Sequence, residues 1–338
     1  MKRTLLKLLG RGALFSFAFL LFCYWTFPYE RVAAFVVQQV EYPAGPGGVR
    51  LPSGYQLQIG SLRPSWLTTV EMEDVRLSKS SAHPDVPSGH IAIDELRASV
   101  SLFPLLVGEI DASFDIELRE GGRIGGSLGF TGSSITSGDL NLSNVELADL
   151  SLLRTQTGLP MTGSISADAS FLTPEELGPN STGEFNLTIQ GVSVGGDGAK
   201  LRIASSPLLR NGLTLERIDA GDLVLSATMD GGVLNVDTFE SRGNDLVLCG
   251  NGSLQLHERI SASRLTTLLR VEFSERYRTS SETTEALFAG LQLDPRARRA
   301  MSEDGAALQF RLDGPIGGRV RFGPAGQAES PCSSPEGS

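Results

Sequence analysis

Residues 110–118 read IDASFDIEL, so Ile110, Ala112, Phe114, Ile116 and Leu118 alternate with Asp111, Ser113, Asp115 and Glu117. A period of two belongs to an extended strand with one greasy face and one wet face, and it rules out an amphipathic helix over the same residues. The pattern recurs along the chain. Tyr55, Leu57 and Ile59 alternate with Gln56 and Gln58. Ile91 and Ile93 continue, past a bulge expected at Asp94-Glu95, into Leu96, Ala98, Val100 and Leu102. Further segments fall at 124–130, 140–147, 161–171, 185–189, 223–229, 246–248, 254–256 and 308–312. Gly121-Gly122, Asp230-Gly231-Gly232 and Asn251-Gly252 supply the positive φ values of tight hairpin turns. About fifteen strands are expected from this spacing.

Strict alternation gives each strand one apolar and one polar face. The strands can therefore pair as a sandwich, or form one long curled antiparallel sheet shaped as a trough or partial barrel. The fold class predicted is mainly β, with an N-terminal transmembrane helix and few short helices. Residues 147–156 and the start at Thr173-Pro174-Glu175-Glu176 read as short helical pieces. Residues 281–302 read as helix on both sides of Asp294-Pro295, where Asp294 can cap and Pro295 can occupy the first helical position. The 39 glycines suit a chain of many turns. The apolar positions are mostly Leu, Ile, Val and Ala, which suits either a dry core or a groove for acyl chains.

Residues 12–27, GALFSFAFLLFCYWTF, carry no charge. Sixteen residues make about 24 Å of helix, a little short of the roughly 30 Å hydrocarbon core. Snorkelling by Lys7 and Arg11, with Tyr24 and Trp25 in the far interface, covers the difference. The anchor-forming residues are Leu14, Phe15, Phe17, Phe19, Leu20, Leu21, Phe22, Tyr24 and Trp25. No small-x-small cleavage site follows, and Phe22 before Cys23 argues against a lipoprotein signal, so an uncleaved signal anchor is expected. Lys2, Arg3, Lys7 and Arg11 hold the N-terminus in the cytoplasm. In a bacterium this places a single-pass protein in the inner membrane with its body in the periplasm. The expected organisation is a basic leader (1–11), the anchor (12–27), a juxtamembrane helix and linker (28–48), a β-rich body (49–322) and a disordered tail (323–338).

The formal net charge is −10 although the leader is basic, so the body repels phosphate backbones and nucleic acid is not an expected partner. Cys23, Cys249 and Cys332 make no evident disulfide framework. His83, His90 and His257 are scattered, and a solvated loop is the preferred reading of HPDVPSGH over a weak metal contact. No GxSxG, P-loop or other nucleophile or phosphate-cradling motif occurs. Neither enzymatic activity nor a cofactor is expected.

Several segments resemble a known family. Thr26-Phe27-Pro28-Tyr29-Glu30-Arg31, then Leu57-Gln58-Ile59-Gly60-Ser61-Leu62-Arg63-Pro64-Ser65-Trp66-Leu67, is similar to the type II secretion system protein N of deltaproteobacteria. So are the run from Ile93 to Gly108 and the stretch from Glu303-Asp304-Gly305 to Asp313-Gly314-Pro315. The style is shared with AsmA-like inner-membrane proteins. Phe27, Pro28, Tyr29, Pro64, Trp66 and Leu67 are the most telling positions and read as structural, while Thr68 stands where the family pattern has a Gly turn nearby. The resemblance implies an accessory part of the type II secretion apparatus, with other secretion components and the inner membrane as partners. The AsmA-like kinship implies instead a curled sheet whose apolar groove contacts phospholipid.

Overall fold

The computed structural model describes residues 55–66, 68–79, 89–105, 108–132, 134–150, 159–174, 178–196, 198–201, 213–257, 262–293, 295–302, 307–316 and 320–325. The leader, the anchor, the juxtamembrane segment, Leu67, His83 and the tail beyond 325 lie outside them. Among the described residues no helix is long and apolar enough to cross a membrane.

The chain forms one open antiparallel sheet of 15 strands. At one edge, β1 (Tyr55–Gln58) and β2 (Ser61–Trp66) both pair with β3 (Thr69–Lys79). Gln58 faces Arg76 and Ser61 faces Glu73, so the two are one strand interrupted at Ile59-Gly60. The sheet continues through β4 (Gly89–Val100), β5 (Glu109–Leu118), β6 (Arg123–Thr131), β7 (Ser134–Glu146), β8 (Met161–Leu172) and β9 (Thr182–Val194). A separate pair, β10 (Lys200–Leu201) and β11 (Leu213–Thr214), interrupts the sequence. The main sheet resumes with β12 (Ile218–Asp230), β13 (Val233–Arg242), β14 (Leu246–Gln255), β15 (Arg264–Phe273), β16 (Ala307–Pro315) and β17 (Arg321–Pro324).

The two edges do not pair, so a closed barrel does not form, and no second large sheet lies among the described residues to make a sandwich. Strands meet their sequence neighbours because short turns leave no other antiparallel partner within reach. The sheet has two rims. Tyr55, at the start of the described chain, lies at the near rim with the β5–β6 turn and the β15–β16 connection. The β2–β3 turn, the β4–β5 connection and the ends of β6 and β8 lie at the far rim.

The bulge expected at Asp94-Glu95 is present as a register shift between Ile93 and Glu95. Similar shifts fall at Leu142/Val145, Thr162/Ser164 and Asp219/Gly221, all toward the near rim. The Gly121-Gly122 and Gly231-Gly232 turns form as expected, each glycine at positive φ.

Four expectations are corrected. Asn251-Gly252 is not a turn: the segments on either side of it belong to one strand, β14, which ends at Gln255, with Gly252 opposite Thr267. A Cβ there would lie 2.4 Å from the Thr266 carbonyl oxygen, so the glycine serves close packing rather than reversal. Residues 147–149 form a turn, not the start of a helix, and Thr173-Pro174 is not helical; 151–158 and Glu175-Glu176 lie outside the described residues. Gly323 and Pro324, placed above with the tail, belong to β17.

Among the described residues the helices are few: α1 (Leu102–Leu105), α2 (Glu275–Arg278), α3 (Glu282–Leu293) and α4 (Pro295–Ala300). Ser274 caps α2 by accepting from the Tyr277 amide at 3.2 Å, and Pro295 opens α4 as expected.

Glycine also works inside the strands. A Cβ on Gly126 would meet the Asp139 carbonyl at 2.6 Å and Phe114 Cζ at 2.7 Å. Phe171 lies over Gly138 and Phe239 over Gly250 in the same way. Each ring covers the backbone its neighbour leaves bare, which fixes strand register. Gly126→Ala is expected to cost about 1–3 kcal/mol, because the carbonyl side of the gap cannot rotate away. Denaturant unfolding measures it, and a variant as stable as the parent would refute this packing role.

Candidate functional site: an open apolar sheet face

Register places the apolar positions of successive strands in rows across one face. Leu96, Ile116, Ile124, Leu142, Ala167, Leu187 and Leu225 are consecutive cross-strand partners. The next row toward the far rim is Phe114, Gly126, Leu140, Ala169, Phe185 and Ala227. On β14–β16 the same face carries Leu248, Val271 and Leu308 in one row and Gly250, Leu269 and Phe310 in another.

Burial varies along this face. Near the bulges Leu118, Val145, Leu147 and Ile165 form a sealed cluster, with Val145 at 0% exposure. Asn144 sits at φ 51° and turns the chain so that Leu147 folds back, its amide bonded to the Gly163 carbonyl at 2.8 Å. Gly163, at φ 139°, leaves room there: a Cβ would lie 3.3 Å from Leu147 Cδ1. Mid-sheet the face opens. Leu140 is 37% exposed although it stands in the middle of an apolar row between Gly126 and Ala169, and Phe114 and Phe185, two strands away on either side, are half-buried. Alternating strands produce such a face whether or not a second layer covers it.

The opposite face is a lattice of charge and amide pairs. Arg123 bonds Glu117, Arg97 pairs with Glu71 and Glu95, and Asn141 donates to Asp168. Where β6 has only Gly125 and Ser127 on this side, a shallow depression of about 330 Å³ forms beside Asp139, Asp168, Glu184 and Asn186. Ion pairs at a surface of this kind add little net stability. At the bulge, Arg119 donates to Asp94 at 2.7 Å and to Asp74, and these bonds raise its pKa. Asp74 itself sits at φ 53°.

Two acidic sites at the near rim differ from this lattice. Asp245 is buried, accepts from the Asp219 amide at 3.0 Å and faces Arg276 at 3.6 Å. Asp149 has a buried oxygen with no hydrogen-bond partner; burial, then the Glu120 carboxyl, then the charge of Glu146 push its pKa up. A carboxyl whose folded pKa is raised stabilises the fold below its unfolded value, and that contribution is lost as pH rises through the folded value. Asp149→Asn is therefore expected to raise Tm at neutral pH, by about 2 °C, with the gain vanishing in acid. Thermal melts across pH check it; a lower Tm at neutral pH would count against the like-charge account.

Pro64 lies on β2 opposite Val70, and Trp66 ends β2 opposite Thr69 at the far rim. Both belong to the edge strand, and through Val70 and Ala98 the register carries Pro64 into the row of Phe114. Leu67, Phe27, Pro28, Tyr29 and the anchor residues lie outside the described residues. His90 opens β4 at the near rim, whereas His257 follows β14 at the far rim, so the fold holds them apart. Among the described residues no group of three or more His, Cys, Asp or Glu side chains is placed to hold a metal ion. Cys249, on β14, is disulfide-bonded, which cysteine spacing did not suggest. The carboxylates at 149 and 245 also escaped sequence reasoning, since an Asp in a turn is ordinarily solvated.

No protein-family profile, curated protein or solved structure matches this chain.

Proposed function

We propose that this chain is a non-enzymatic protein of the bacterial cell envelope, held at the inner membrane by residues 12–27, whose sheet takes acyl chains on its apolar face. The observation that carries the reading is the exposure of Leu140 inside an apolar row that runs unbroken from β5 to β12. An exposed leucine inside such a row marks where an apolar occupant can seat. Bulges along the sheet bend and twist their strands, which favours a curled trough over a flat sheet. The disulfide at Cys249 fits an oxidising compartment such as the periplasm. The AsmA-like resemblance points the same way.

Native mass spectrometry of the purified full chain is expected to find copurified phospholipid, released by Leu140→Asp. A lipid-free protein, or one whose lipid is indifferent to that substitution, would sink the reading.

The resemblance to type II secretion system protein N supports a second reading, in which the body docks to other secretion components. The polar face favours it, because exposed Asp, Glu and Asn beside the 330 Å³ depression suit a basic protein partner. Unchanged exoprotein secretion after deletion of the gene would rule it out.

A further inference from the structure

Four of the exposed large apolar side chains gather at the far rim of β4–β8: Phe103 (87%), Leu172 (56%), Ile135 (44%) and Ile110 (38%). Phe103 lies in α1, between β4 and β5; Ile110 and Ile135 open β5 and β7; Leu172 closes β8. Ile110 pairs with Phe130 and Phe130 with Ile135, so the apolar face runs out to this rim without a polar row in between. Leu172 pairs with Ser137 on the opposite face, where Asp168 and Ser170 precede it on alternate positions. At this margin an apolar side chain stands on that face as well, so the rim is greasy on both sides.

Charge follows the same division. Among residues 101–105, 108–110, 130–132, 134–136 and 171–174, Glu109 is the one charged side chain. The near rim of the same strands carries Arg119, Glu120, Arg123, Glu146 and Asp149. The strands are thus amphipathic lengthwise as well as face to face.

We propose that the far rim of β4–β8 seats in the headgroup boundary of a bilayer, with Phe103 and Leu172 inserted, and that Ile110 and Ile135 join the acyl layer to the sheet face. The proposal rests on reading residues 12–27 as an anchor and the sheet face as an acyl-chain surface. A bilayer is within reach. Residues 28–54 separate that segment from Tyr55 and span up to about 90 Å when extended, against roughly 40 Å for a strand of twelve residues. A second copy of the chain fits less well: four side chains fall far short of the roughly 800 Å² per partner of a stable pair. Insertion needs only that each apolar tip leave water, and among the described residues of this rim Glu109 is the one charge.

The full chain, reconstituted in vesicles of phosphatidylethanolamine and phosphatidylglycerol, tests this. The photoreactive residue p-benzoylphenylalanine is placed singly at Phe103, Leu172, Leu140 or Arg298, the last exposed on α4 at the near rim. After irradiation, intact-mass analysis should find phospholipid adducts at Phe103 and Leu172 at least about tenfold above Arg298. Adducts at Leu140 alone overturn the rim proposal and leave the sheet-face reading intact. Adducts at Phe103 and Leu172 without any at Leu140 do the reverse. Crosslinks from Phe103 or Leu172 to a second copy replace the bilayer with a dimer and overturn the proposal. Release of the unmodified chain by alkaline carbonate removes the anchor, and the proposal with it.

Discussion

Val145→Asp is expected to abolish cooperative folding of the β4–β9 region. Val145 is wholly buried among Leu118, Leu147 and Ile165, with Ile93, Ile116, Ile124 and Ile189 packed around them. None of these side chains offers a hydrogen bond, so a carboxyl there must stay protonated or open the cluster to water. Either course costs about 4 kcal/mol or more, a large share of the 5–15 kcal/mol that holds a typical domain together. Val145→Ala is the size control. It removes only methyl groups and should cost about 2 kcal/mol. Guanidinium unfolding followed by far-UV circular dichroism separates the two. Equal losses for Asp and Ala would show that the site admits water and that the cluster is not sealed.

Tyr277→Ala should be nearly as damaging, at about 3–5 kcal/mol. Tyr277 is 3% exposed, stacks on Phe273 with centroids 5.8 Å apart, and meets Phe288 edge-on at 6.5 Å. Its hydroxyl donates to the Glu216 carbonyl at 3.3 Å, tying the helical connection after β15 to the segment that leads into β12. Tyr277→Phe keeps the rings and loses one hydrogen bond, for about 1 kcal/mol.

The two substitutions also differ in alkali. Burial first, then the charges of Asp245 and Glu216, push the phenol up to about 12. The folded state therefore holds this proton more tightly than the unfolded chain does. The resulting stability is present below about pH 10 and is lost as pH rises toward 12. Tyr277→Phe should flatten that alkaline limb of the stability profile. A limb of unchanged steepness in the variant would mean that other groups set it.

Much of this architecture can be read from residues. β5 was legible because Ile110 to Leu118 alternate without a break, and the bulge at Asp94-Glu95 because the alternation changes phase there. β15 was harder. Its run RLTTLLRVEF puts Leu268 and Leu269 side by side, and Leu268 pairs with Asn251 and Arg311 on the polar face. Asn251-Gly252 misled for a physical reason: the same dipeptide satisfies a tight turn or a strand that another backbone approaches closely. Leu147 carried an apolar signal that fits a helix, but it serves the sealed cluster instead. Whether the sheet closes was not legible at all, since alternation fixes each strand's faces and says nothing of what lies opposite. The far-rim cluster was invisible for a related reason. Phe103, Ile135 and Leu172 are distant in sequence, and only register brings them to one margin.

The neighbour-to-neighbour strand order has a temporal side. Each hairpin can close on the one before it as soon as it leaves the ribosome or an export channel, with no wait for the C-terminus. Assembly can run from β3 outward like a zip, and a chain of this kind tolerates the gain or loss of a whole hairpin better than the loss of one strand. The cost falls on every intermediate, whose newest strand presents an unpaired edge until the next arrives. A chaperone that covers one moving edge would serve the whole length of the sheet.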